Sequence, residues 1–260
     1  MKHASTRFAN WFAPPFLLSL VLVAVWQASV VAFNLPAYLV PSPGRVLNAA
    51  WGHGKELLMA TTMTGGAALA GFLSSLLGGF VIAFAFSQSS VIRRSCYPYA
   101  IFLQTVPIVA IAPLIINWFG NGFQSVVLVS CIISLFPIIT NGTQGLSSVD
   151  PRLLELFELH NATRWDVLKK LRLPNSVPYL ITGAKTSCGL SVIGAIVGEL
   201  FAGYGTTRFG LGYIISQTSG NLKTDYLFAT VLACTLLGLA IFGTVSWLGE
   251  MILRRRHQSV

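Results

Sequence analysis

Between Ser95 and Val149 the chain runs for 55 residues without one Asp, Glu, Lys or Arg. No solvated domain surface can be built from such a run, whereas two helical crossings of a hydrocarbon core about 30 Å thick, at roughly 20 residues each, use it up. The remainder conforms. Hydrophobic residues make up 54% of the chain and charged residues 10%, with a mean hydropathy of +0.70. Soluble domains carry roughly 25% charged residues. The expected fold class is therefore all-α, a polytopic membrane protein whose first partner is the lipid bilayer. The net charge of +9 would suit nucleic acid if it formed one solvated face. The positive residues instead lie between apolar runs, so no nucleic-acid partner is expected.

About six transmembrane helices account for the apolar runs, near residues 13–33, 64–86, 97–118, 125–145, 177–200 and 226–248. They leave a basic head at 1–12 and a basic tail at 251–260. The first run, Ala13 to Phe33, is longer than a signal-peptide core and no A-x-A site follows it cleanly, so a retained helix is expected. Asn34 to Lys55, with Pro41-Ser42-Pro43-Gly44, reads as a turn-rich connection. Phe119-Gly120-Asn121-Gly122 is the turn dividing the long uncharged stretch. A glycine-rich segment with Gly205, Gly210, Gly212 and Gly220 separates the last two spans. With both termini on one side, the segments sharing that side hold 12 of the 17 Lys and Arg residues. The opposite segments hold four, Arg45, Lys55, Arg208 and Lys223, and Lys185 falls within the fifth span. By the positive-inside rule both termini are cytoplasmic.

On that same side lies an island, 150–174, DPRLLELFELHNATRWDVLKKLRLP, that holds nine charged residues between Asp150 and Arg172. Its grammar is that of two short helices about a tight turn. Asp150-Pro151 reads as an N-cap followed by proline at the first helical position. Asn161 suits the left-handed conformation that ends a helix. Thr163 and Asp166 have capping-box spacing, and Pro174 is expected to end the second helix. Leu153, Leu154 and Phe157, then Trp165, Leu168 and Leu171, give each piece an apolar stripe. An amphipathic, charged knob of this kind is expected to dock into another protein.

No catalytic constellation is present. Cys96, Cys131, Cys188 and Cys234 lie singly in apolar segments without a CxxC pair, and the four histidines are scattered, so neither a disulfide framework nor a metal site is expected. Gly183-Ala184-Lys185-Thr186 lacks the glycines of a phosphate loop and sits in an apolar helix. Lys185 and Glu199 are the ionisable residues within or at the end of a span, about 21 Å apart along one helix. Both are candidates for a translocation path. The plainer reading has Lys185 snorkelling to headgroups and Glu199 reaching external water.

The island resembles the cytoplasmic EAA signature of type I ABC importer permeases, E-A-A, a glycine four residues on, then I-x-L-P. Glu155-Leu156-Phe157 stands at E-A-A, Asn161 at the glycine and Leu171-Arg172-Leu173-Pro174 at I-x-L-P. Pro41-Ser42-Pro43, Val106-Pro107, Ala112-Pro113-Leu114, Trp118-Phe119-Gly120, Ser148-Val149-Asp150-Pro151 and Gly210-Leu211-Gly212-Tyr213 are similar to the nitrate/sulfonate/taurine branch of that family over nearly the whole chain. The two alanines are replaced by larger apolar residues, which implies a locally reshaped docking surface.

The resemblance implies a permease subunit of a bacterial inner-membrane importer, not itself an enzyme and without a cofactor of its own. ATP would be bound by a separate cytoplasmic ATPase dimer. A second permease copy and an external substrate-binding protein complete the implied assembly. Leu153, Leu154 and Phe157 would fill the ATPase groove, and Glu155, Asn161 and Trp165 would shape the knob, with Leu173 and Pro174 at its base. Arg164, Lys169 and Lys170 would face acidic partner residues or lipid phosphates. The implied cargo is a small solute, either a nitrate-, sulfonate- or taurine-like anion or a pyrimidine- or riboflavin-type vitamin precursor. Gly194-Ala195-Ile196-Val197-Gly198-Glu199-Leu200 leans toward the precursors. The alternative is a self-sufficient secondary transporter or channel, which predicts inverted repeats, broken helices and paired membrane charges.

Overall fold

The computed structural model describes residues 2–202 and 209–257, and the side chains of these apart from 2–13, 15, 16, 90, 256 and 257. Expectations for Gly205 and Arg208, and for the side chains of Lys2, Arg7 and Arg256, lie outside the described residues. Among those described there are helices and turns and no strand. In chain order the helices are α1 (Lys2–Ala32), α2 (Pro43–Gly52), α3 (Gly54–Gln88), α4 (Ser90–Thr105), α5 (Ile108–Phe119), α6 (Phe123–Ser147), α7 (Pro151–Leu159), α8 (Arg164–Val167), α9 (Leu173–Ala202), α10 (Leu211–Gly220) and α11 (Thr224–His257). Among the described residues four helices are long and apolar enough to cross a membrane: α3, α6, α11 and the continuous helix Arg164–Ala202. The pair α4 and α5 makes a fifth if counted as one span, and the apolar part of α1, Leu17–Ala32, is shorter.

Several expectations change. The stretch expected as one span near 97–118 is broken at Val106-Pro107, and its two halves are bent by 97°. Proline has no N–H to continue the ladder and forces Val106 into an extended conformation, φ −72° and ψ 125°. The connection 34–55 contains α2, because Ser42 takes an extended N-cap conformation and Pro43 stands at the first helical position. The turn at Phe119-Gly120-Asn121-Gly122 is present, with Gly120 at φ 85°, a region open to glycine.

The chain divides into two compact units, residues 1–57 with 214–232, and residues 58–213 with 233–260. In the first, Thr224 Oγ1 donates to the Tyr38 carbonyl at 2.7 Å. His53 stacks on Tyr226 with ring centroids 4.1 Å apart, and Trp26 tilts against Phe228 at 5.9 Å.

The second unit is built on α6. Helix α9 runs antiparallel along one side of it: Gly198 abuts Val126, Gly194 abuts Ser130, Gly183 abuts Pro137 and Gly145 abuts Ser176. Helix α3 runs parallel along another side, with Gly71 against Ser130, Gly79 against Ile138 and Ala83 against Gly142. Small residues allow this approach, and the serines bind the helices together. Ser130 Oγ donates to the Ser191 carbonyl at 2.8 Å and Ser187 Oγ to the Ser134 carbonyl at 2.6 Å, all buried. In lipid, where apolar side chains gain little by leaving their surroundings, such close contacts and interhelical hydrogen bonds hold helices together.

A Cβ at Gly194 would stand 2.7 Å from Ser130 Cα, whereas one at Gly189 would meet nothing within 4 Å. Gly194→Leu should therefore lose about 1–3 kcal/mol of stability to overpacking, and Gly189→Leu far less. Thermal unfolding of the two variants in detergent measures the difference; equal midpoints would contradict this packing.

Candidate functional site

The island 150–174 forms the helix–turn–helix that its local grammar implies. The Asp150 side chain accepts the Arg152 amide at 2.9 Å, capping α7. Asn161 turns the chain at φ 51°. A full capping box opens α8: Thr163 Oγ1 accepts the Asp166 amide at 3.2 Å, and the Asp166 carboxylate accepts the Thr163 amide at 3.3 Å. Lys170 pairs with Asp166 at 2.8 Å, and Lys169 Nζ lies 5.2 Å from the centre of the Trp165 ring. Trp165 and the second helix are thus held in one arrangement by short-range contacts.

Pro174 does not end the second helix. Helix α8 passes through a π-helical turn, Leu168–Arg172, directly into α9, within which Pro174 is the second residue. The wider turn moves away the carbonyl that a proline ring would otherwise strike. The loop therefore continues rigidly into a transmembrane helix. Two further ties fix its base. Arg172 donates to the Ser87 carbonyl at the end of α3, at 3.2 Å. Asn175 Nδ2 donates to the Gly145 and Ser148 carbonyls at the end of α6, at 2.9 and 3.2 Å. The base of the knob is thereby tied to three helices.

The residues expected to form the docking surface divide in two. Glu155, Asn161, Arg164 and Trp165 are exposed, and so is Leu153. Leu154 and Phe157 are half-buried; Leu154 lines a crevice of about 390 Å³ with Gln88, Leu168 and Arg172. Leu173 and Pro174 are half-buried at the base. The most exposed apolar side chain of the island lies outside the expected stripe, Leu159 at 80%, followed by Trp165 at 65% and Leu156 at 48%. Three-residue spacing from Leu153 through Leu156 to Leu159 was the available signal.

The two ionisable residues of the fifth span part company. Lys185 is half-buried, its Cε close to Gly249 in the final turns of α11. Glu199 does not reach water; it is 7% exposed. Its carboxylate accepts Thr64 Oγ1 at 2.8 Å and the Gly212 amide at 2.9 Å, while Thr64 Oγ1 accepts the Leu211 amide at 2.8 Å. The orphan amides at the start of α10 are thus satisfied by one acid and one hydroxyl, and the helix dipole favours the negative charge there. A Cβ at Gly210 would fall on the Glu199 carboxylate and one at Gly212 on the Ile196 carbonyl. That is why Gly210-Leu211-Gly212 carries two glycines. In the sequence this motif and Glu199 are both visible, but nothing local joins them.

The break between α4 and α5 borders a cavity of about 430 Å³. Gln104 and Thr105 supply its polar lining and Pro107, Ile111, Ile133 and Phe136 part of its apolar wall, and none of the lining residues is charged. Irregular backbone at membrane depth is tolerated where it is buried in protein or lines a wet cavity.

An all-α, multi-pass membrane protein with a rigid amphipathic helix–turn–helix between two spans is the class these features define. Residues 75–258 match the family described as binding-protein-dependent transport system inner membrane component, and the chain belongs to that family, as a permease subunit of an ABC importer in the inner membrane. A riboflavin transport system permease protein of Chloroflexus aurantiacus is 33% identical, over 92% of this chain and 88% of that protein. A formylaminopyrimidine transport permease protein of Halalkalibacterium halodurans is 29% identical, over 94% and 96%. The taurine transport system permease protein of Escherichia coli is 25% identical, over 91% and 84%. Among solved structures, a chain of the inward-facing MetNI methionine ABC transporter superposes with a TM-score of 0.62, over 76% of this chain and 95% of that one. At 17% identity that likeness shows the fold alone.

Glu199→Ala should free the Gly212 amide and raise its hydrogen exchange about tenfold or more, the effect of losing roughly 1.4 kcal/mol of local stability. Glu199→Gln keeps an acceptor oxygen and should stay near the parent. Exchange mass spectrometry over 209–213 reads both; unchanged protection in Glu199→Ala would refute the clamp.

Proposed function

We propose that this permease is driven by a separate cytoplasmic ATPase through the helix–turn–helix at 150–174, and that it imports a small uncharged heterocycle of the vitamin-precursor type. The observation that carries the first half is the exposure of Leu159 and Trp165 on a charged knob tied to the ends of α3 and α6. Large apolar side chains among charges, on an element that cannot move without its helices, are the anatomy of a docking surface. Leu153, Leu156, Leu159 and Trp165 would enter the ATPase groove, Glu155 and Arg164 would meet polar partner groups, and Leu154, Phe157, Leu173 and Pro174 would hold the knob's shape. Two permease copies would face each other, each on one ATPase subunit, and an external binding protein would deliver the solute. ATP is the partner's ligand, and both termini lie on the ATPase side.

Two observations support the solute class. The cavity at the α4–α5 break has amide and hydroxyl groups but no cation, and Lys185 is not among its lining residues. A sulfonate or nitrate path would call for a cation. The riboflavin and formylaminopyrimidine permeases are 33% and 29% identical to this chain, against 25% and 22% for the taurine and nitrate permeases. The broken helix is a trait shared with secondary transporters, but the ion pairs Lys170–Asp166 and Arg254–Glu250 are exposed neighbours on single helices, not paired membrane charges.

Proteoliposomes holding the permease, its ATPase and its binding protein test both halves. Labelled riboflavin or formylaminopyrimidine should accumulate with ATP, and taurine should not. Glu155→Arg should abolish the ATP-driven uptake while membrane insertion is unchanged. Normal uptake by that variant would sink the coupling assignment, and taurine accumulation would sink the solute class.

A further inference from the structure

We propose that the crevice between the start of α4 and the last turns of α6 binds the phosphate of an anionic phospholipid headgroup. The crevice holds about 470 Å³ and is lined by Arg93, Arg94, Tyr97, Thr140, Thr143 and Gln144. Its lining brings two arginines of α4 together with two hydroxyls and an amide of α6.

Among the described residues nothing neutralises that charge. No Asp or Glu occurs between Glu56 and Asp150, so α4, α5 and α6 are wholly free of carboxylates and α3 has only Glu56 in its first turn. Asp150, just beyond α6, is turned to the Arg152 amide. Neither arginine is ion-paired among the described residues.

The second observation is a buried polar atom with no partner. Thr143 is 4% exposed, lines the crevice, and its Oγ1 has no hydrogen-bond partner. One turn earlier, the Thr140 hydroxyl donates to the Phe136 carbonyl of its own helix at 3.1 Å, as threonines in helices do. Burying a hydroxyl unsatisfied is costly, and each such group calls for an explanation such as a ligand. A phosphate oxygen in the crevice supplies the missing acceptor, while the arginines supply donors suited to phosphate geometry.

Position selects a lipid over a soluble anion. Thr143 and Gln144 lie in the last turns of α6 and Arg93 and Arg94 in the first turn of α4, where apolar runs end and headgroups begin. Around them α4 exposes Val91 at 72% and Tyr99 at 71%, surface suited to acyl chains and glycerol backbone. A basic pocket between helices at the interface, with a tyrosine at its edge, is the composition that binds acidic headgroups.

The test uses the full-length permease in neutral detergent, titrated with phosphatidylglycerol, phosphatidylcholine or inorganic phosphate. Bound lipid is read by native mass spectrometry and the thermal midpoint is followed, which rises only with what binds the folded state. Phosphatidylglycerol should be retained and should raise the midpoint; the other two should not. Arg93→Gln/Arg94→Gln should weaken phosphatidylglycerol binding about tenfold or more, the worth of a charge-assisted contact. Thr143→Val should weaken it several-fold, although it removes an otherwise unsatisfied hydroxyl and should by itself not destabilise the fold. Arg254→Gln/Arg255→Gln, the same loss of charge in the tail, should stay within about twofold. Equal binding of phosphatidylcholine, a full effect from inorganic phosphate alone, equal loss in the tail variant, or no loss in the Arg93/Arg94 variant would each overturn the assignment.

Discussion

Everything in the larger unit depends on how closely α6 can be approached. Its neighbours come to it over glycines, alanines and serines, and the Ser130–Ser191 and Ser187–Ser134 hydrogen bonds seal α9 against it. Between lipid tails no hydrophobic force distinguishes the helix contact from the lipid contact. Shape and hydrogen bonding must therefore hold the helices, and both fade within a fraction of an ångström. The result is a stiff three-helix assembly of α3, α6 and α9.

That stiffness suits the coupling role proposed for the helix–turn–helix. It is continuous with α9 through a π-turn and tied to α3 and α6 by Arg172 and Asn175. A flexible loop would dissipate a partner's motion; the proposed coupling would reach the ends of three spans at once through these ties. At the far end of α9, Glu199 holds the start of α10 to Thr64 on α3. Helices α3 and α9 are thus joined at both ends, by the Arg172 tie and by the Glu199 clamp, which favours rocking as a body over sliding past each other. The broken pair α4 and α5 is not included in either tie, and it is there that the uncharged cavity lies.

Local features of this fold were legible in the sequence because they are decided within a few residues. The Asp150 cap, the left-handed Asn161, the Thr163–Asp166 capping box and the Gly120 turn each follow from one side chain and its neighbours. The same logic fails at Pro174: a proline usually ends a helix, but a π-turn just before it removes the steric conflict. Pro107, read only as part of a motif, breaks a span because lipid-facing apolar character says nothing about backbone continuity. The Glu199 clamp was hidden for a different reason. It joins residues 135 positions apart, and an acid at the end of an apolar run looks alike whether it faces water or a helix terminus. Hydropathy identifies what lies in the membrane, and only packing tells what each polar group there is bound to.

The proposed coupling makes the helix–turn–helix the point at which an ATPase drives this permease. A photoreactive phenylalanine analogue placed at Trp165 in the assembled transporter tests it most directly. An adduct with a separate ATPase subunit is expected, its yield changing between the nucleotide-free and ATP-bound states. Adducts with lipid alone, in a preparation that still imports its solute on addition of ATP, would contradict it.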